Sequence, residues 1–265
     1  MSVSSSAPKT AQVLQEVQLR PLDRQFAAFG LLWIITSWWL ATDVLLPFLF
    51  QGLIAAGVPL IELVRHNLVV FGLVNFSYAP LVVGLSWLGL RLSLRRRGLT
   101  LRYLVGLLRW PVSRDALAVP LAYVVYFALS LIIADLIAWL LPTVNLQQTQ
   151  ELGFAAPDSL FSYVITFVML VLVPPVVEEL IFRGFILGSL LRGFRFVISA
   201  VVTSLLFGLV HLGPGMHINL FMDTFALSLV LCYLRLKTGS IWAGMGLHAL
   251  KNLIAFVLLY ILKVA

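Results

Sequence analysis

Cysteine is almost missing from this chain: Cys232 is the only one among 265 residues, and it lies in an apolar run. A disulfide framework and a thiolate metal cluster are excluded on that count alone. Charge is scarce too, at 11% against 61% hydrophobic residues, with a mean hydropathy of +1.04. Soluble domains carry about a quarter charged residues, so this composition belongs to a membrane protein. The first 25 residues lack the apolar core of a signal peptide and read as a flexible cytoplasmic tail. Nothing resembles an internal repeat, which weighs against a transporter built from two related halves. Long polar connections are missing as well. Apolar stretches of about 20 residues, the length that crosses a bilayer as helix, follow one another with short polar links, and such unbroken runs disfavour a β-barrel.

The expected fold is therefore all-α, a polytopic transmembrane helical bundle forming one membrane domain over residues 26–265. Its apolar runs are 26–50, 68–90, 117–141, 160–191, 196–212, 218–234 and 241–262. Residues 53–64 are too short to cross and read as re-entrant or interfacial, or as half of a hairpin with the first run. Residues 99–110, broken by Arg102 and Arg109, suggest a helix lying in the interface. The net charge of +7 comes from 18 Lys and Arg against 11 Asp and Glu. The basic residues cluster beside apolar runs as the positive-inside rule describes, so the partners are membrane lipids and no nucleic acid. About seven crossings follow, eight if the first region splits, with the N-terminus inside and the C-terminus outside. The setting is an integral, multi-pass protein of a prokaryotic plasma membrane.

Against this background Glu178, Glu179 and Arg183 stand out within the run 160–191. Each costs ~2.5 to 3.5 kcal/mol near a bilayer centre even on the lenient scale, so they need partners, water or a function. Glu179 and Arg183 are four apart, share a helix face and can form a buried ion pair. Glu178 points about 100° away and stays available for chemistry. Pro174 and Pro175 suggest a kink or break that admits water. His211 follows Phe207 by one turn, and His248 and Asn252 again lie four apart. A carboxylate, two imidazoles and a carboxamide could deprotonate a water and stabilise the oxyanion formed at a carbonyl. A structural lock, or a proton or ion pathway, uses the same residues. Counting along the helices puts Glu178 and His211 about 20 to 25 Å from the basic ends but His248 only about 12 Å, so the helices must tilt or distort to bring them together.

Three motifs in order sharpen this reading. Glu178-Glu179-Leu180-Ile181-Phe182-Arg183 resembles the EExxxR motif of the CAAX-protease and bacteriocin-processing family, the CPBP or Abi intramembrane proteases, which includes the type II CAAX prenyl endopeptidases. Phe207 to His211 is similar to its FxxxH motif, and His248 to Asn252 to its HxxxN motif, so the resemblance covers 160–254. It implies an intramembrane endopeptidase that hydrolyses a peptide bond in a membrane-associated protein or peptide near the cytoplasmic side. By the same resemblance Glu178 activates water with His211, His248 and Asn252 stabilise the oxyanion, and Glu179, Arg183 and Phe207 support them. The expected mechanism needs no cofactor; the alternative is zinc held by Glu178, His211 and His248. A non-proteolytic scaffold or bacteriocin self-immunity protein, and more remotely a proton-coupled transporter, are the competing functions.

Overall fold

The computed structural model describes residues 24–95, 100–143, 157–212 and 217–263. The described residues contain no strand and nine helices: α1 Arg24–Ala55, α2 Leu60–His66, α3 Leu68–Arg95, α4 Leu101–Val105, α5 Ser113–Leu140, α6 Leu160–Leu190, α7 Phe196–Leu209, α8 Ile218–Thr238 and α9 Trp242–Ile261. Six of these, α1, α3, α5, α6, α8 and α9, are long and apolar enough to cross a membrane. The chain is thus an integral, multi-pass helical bundle. The seventh expected crossing is α7, whose 14 residues give about 21 Å of helix, short of the roughly 30 Å hydrocarbon core. The expected tail lies outside the described residues except for Arg24 and Gln25, which open α1.

The helices pack as α7 on α8, α5 on α8 and α9, α1 on α3 and on the end of α6, and α9 on the middle of α6. In lipid the apolar effect between spans is weak, and close approach through small residues takes over. A Cβ on Gly30 would meet Ser189 Oγ at 2.5 Å, and one on Gly184 would meet Val105 at 2.8 Å. Ser199, Thr203, Ser204 and Ser228 are fully buried, where α7 and α8 pack together.

Three local readings change. The first region does not split into two crossings, although Asp43 and Pro47 interrupt its apolar run. A π-helical turn, Leu40–Leu45, absorbs the irregularity and Pro47 opens the next α-helical stretch, where its missing N–H costs little. Residues 53–64 divide between the end of α1, a turn with Gly57 at φ +86°, and α2. The expected interfacial helix 99–110 is only the five residues of α4, and it points inward: Leu104 and Val105 are buried against Gly184 and Gly188 of α6. Two cations tie this segment to α8 and α5. Arg235 donates to the Leu104 carbonyl at 3.2 Å, and Arg109 pairs with Asp115 at 2.6 Å. Gly106, at φ +83°, lets the chain turn out again.

Pro174 and Pro175 do not break α6. The helix runs on through them because the turn before, Val168–Leu172, is π-helical, and a second π-helical stretch, Glu179–Ile186, follows. From Ile181 to Leu190 every residue is buried.

Candidate active site

The second π-helical stretch carries the charge. Glu179 and Arg183 are both fully buried, and Arg183 Nη1 donates to Glu179 Oε1 at 2.9 Å. The guanidinium also lies over the Phe207 ring, 4.4 Å from its centroid, so α7 covers a cation that lipid would reject. Phe182 meets the same ring edge-on at 4.9 Å. On the other side α9 comes close only because residue 244 is glycine, since a Cβ there would lie 2.9 Å from Glu179 Oε2. The pair that spacing suggested is present, locked between three helices.

Glu178 turns away from it, as one residue of rotation requires. Its side chain is 14% exposed, its Oε2 makes no protein hydrogen bond, and His211 Nε2 and His248 Nε2 each lie 3.8 Å from that oxygen. The other nitrogen of each ring is committed. His211 Nδ1 is 2.7 Å from the Phe207 carbonyl, which can only accept, so Nδ1 carries a proton. His248 Nδ1 is 3.2 Å from Glu179 Oε1, again an acceptor. Both rings are therefore oriented, by a backbone carbonyl and by a carboxylate, with Nε2 toward Glu178. Glu179 serves two partners, Arg183 and His248. Among the described residues no three His, Cys, Asp or Glu side chains gather so as to hold a metal ion.

Residues 160–254 match the family described as type II CAAX prenyl endopeptidase Rce1-like. Within the curated proteins the chain is 31% identical over 81 residues to a Bacillus subtilis (strain 168) protein described as "Putative membrane peptidase YdiL". The match covers 31% of this chain and 32% of the relative, so the chain spans about a third of the length of the relative it matches. No solved structure matches the chain. Both similarities are to peptidases, and the family match covers the same 160–254 that the motifs marked out.

Within the matched stretch Asn252 is placed differently from the other candidates. Its Nδ2 donates to the Leu170 carbonyl at 2.9 Å. That carbonyl needs an outside donor: its α-helical partner would be the N–H of residue 174 and its π-helical partner that of residue 175, and both are proline. Asn252 still lines a cavity of about 180 Å³, together with Glu178, His211, His248 and Lys251. Spacing did not single out Lys251. It pairs at 3.1 Å with Asp223, which accepts in turn from the Tyr126 hydroxyl, reaching α5 outside the matched stretch. Asp223 sits in an otherwise apolar span, and that alone was a signal.

Proposed function

We propose that the chain is a membrane-embedded endopeptidase in which Glu178 activates the attacking water. The observation that carries this reading is the convergence of two imidazole Nε2 atoms on one unpaired carboxylate oxygen, Glu178 Oε2, in the wall of a cavity. The water gives one proton to Glu178, while its other hydrogen is held by the His211 Nε2 lone pair, left free because Nδ1 donates to Phe207. The water oxygen bonds to the carbonyl carbon of the peptide. The resulting oxyanion accepts from Nε2–H of His248, whose ring is flanked by Glu179 and Glu178. The C–N bond then breaks as the proton on Glu178 passes to the departing amine.

Glu179, Arg183 and Phe207 hold this geometry rather than take part in a bond change. Asn252 supports the wall through Leu170, and its second amide hydrogen is the one left to assist the oxyanion. The substrate is a membrane-associated protein or peptide, as the CAAX-type likeness suggests, and membrane lipids are the surrounding partner. The proposed steps use no metal. The scaffold and immunity readings draw no support from the way both Nδ1 atoms are tied off, since orienting two Nε2 atoms at one carboxylate matters for moving a proton at that point.

The test compares wild type with Glu178→Gln and Glu178→Ala at matched membrane levels, following turnover of tagged membrane-protein tails. Loss of a positioned base lowers turnover by about 10²- to 10⁴-fold. A product that accumulates unchanged in both variants would refute the assignment.

A further inference from the structure

We propose that Lys251 sets substrate preference: its ammonium takes a carboxylate carried by the bound peptide, close to the bond that is cut. The inference rests on the peptidase reading for the word peptide, while the anion-binding site itself is argued from the residues around Lys251.

Lysine in the middle of a membrane helix calls for a reason. Lys251 is the one Lys, Arg, Asp or Glu between Trp242 and Ile261. It lies about 14 to 15 Å from either end of α9, farther than a lysine stem can carry its charge toward the surface. Such a charge is expensive unless the protein answers it. Part of the answer is Asp223 of α8, whose carboxylate lies 3.1 Å from the ammonium, and Tyr126 of α5 donates to the other oxygen of Asp223. Three helices meet at this point, and both oxygens of Asp223 are committed.

The ammonium is only partly used. It has three N–H groups, and among the described residues Asp223 is its one partner. Lys251 borders the cavity that also holds Glu178, His211 and His248, whereas Asp223 and Tyr126 do not. It is the one Lys or Arg of that lining, and Ala255, Phe256 and Leu259 continue the wall of α9 without a charge. A pair that served packing alone would be shut in, as Glu179 and Arg183 are at 0% exposure; Lys251 keeps 21% of its side-chain surface.

Spare ammonium N–H groups in a largely apolar wall favour an acceptor that is itself charged, because hydrogen bonds between ionised groups are the strong ones and low dielectric strengthens them further. Glu178 repels the same carboxylate. A bound peptide is therefore held with its acid toward Lys251 and its scissile carbonyl toward His248. These two residues are three apart on α9, which makes them neighbours on the helix surface with Cβ atoms about 5 to 6 Å apart. An extended peptide advances about 3.3 Å per residue, so the acid sits about one to three residues from the carbonyl that is attacked. An Asp or Glu side chain and a free C-terminus both supply such a group.

Peptide affinity tests this apart from turnover. The probes are dansylated decapeptides of Leu and Ala in mixed micelles: one with a single central Glu and an amidated end, the same peptide with Gln, and the Gln peptide with a free C-terminal carboxylate. They are titrated onto full-length Glu178→Gln protein, alone and combined with Lys251→Arg, with Lys251→Met, and with Lys251→Met plus Asp223→Asn. The last variant removes the carboxylate that Lys251→Met strands. The proposal expects an acid peptide to bind about tenfold or more tighter than the Gln amide, with the difference kept in Lys251→Arg and lost in both Met variants. Which acid peptide gains tells the side chain from the terminus. Equal binding of all the probes, binding of none, or an acid preference that survives both Met variants overturns it. Full turnover by the Glu178→Gln protein beside a Lys251-dependent acid preference would instead leave this site standing and remove the peptidase mechanism.

Discussion

Asn252→Ala removes the donor that satisfies Leu170, and the sequence of α6 supplies no replacement because residues 174 and 175 are both proline. An unpaired carbonyl of this kind costs about 1 to 3 kcal/mol, and lipid offers no water to relieve it. The compensating change is Pro174→Ala, which restores an N–H in α-helical register with Leu170. The expected coupling is favourable: with Ala at 174, Asn252→Ala costs less than half of what it costs with Pro at 174. Reversible unfolding of the purified protein in mixed micelles, run on wild type, both single variants and the double, measures that coupling. Costs that simply add would refute the argument that Asn252 answers the prolines. Turnover in the same four proteins separates positioning from direct contact. A double variant that regains stability and activity makes Asn252 a positioning residue; one that regains stability alone gives its second amide hydrogen to the oxyanion.

Arg183→Met leaves Glu179 fully buried without its cation, at an expected cost of about 3 to 5 kcal/mol, while Glu179→Gln with Arg183→Met recovers most of the loss in micelle unfolding because the isolated charge is gone. That double variant stays slow in turnover, since the substituted carboxamide no longer places a carboxylate behind His248. Gly188→Ala drives a methyl into the Leu104 carbonyl and forces α4 off α6, lowering stability in the same assay by about 1 to 3 kcal/mol. Exhaustive chelation of the purified protein leaves its turnover unchanged if Glu178 works without zinc, and activity restored only by added zinc would reverse that assignment.

Much of the site was legible because its chemistry is unusual for its surroundings. Three ionisable groups in one apolar run demand an account, and the 3.6-residue period alone separates Glu179, on the face of Arg183, from Glu178. His211 and His248 could be named from ordered motifs, though not the tying off of each Nδ1, which depends on a carbonyl one turn back and on a carboxylate 69 residues away. The fold class and the main spans followed from apolar length. The irregular parts did not. Two prolines suggest a break, yet π-helical turns on either side carry α6 through. Residues 99–110 look amphipathic enough for an interface, yet two glycines on α6 leave room for Leu104 and Val105 to pack inward.

Those irregular parts also hold the catalytic cluster in place. Depth along one helix says how far a residue lies from an end, but not what packs around it. His248 is shallow by count, yet its Nε2 lies 3.8 Å from the Glu178 carboxylate. Leu247, Ala243 and Ile241 before it are buried, and so is the whole stretch 181–190, against which α4 packs. That packing depends on Gly184 and Gly188, two residues that carry no chemistry of their own.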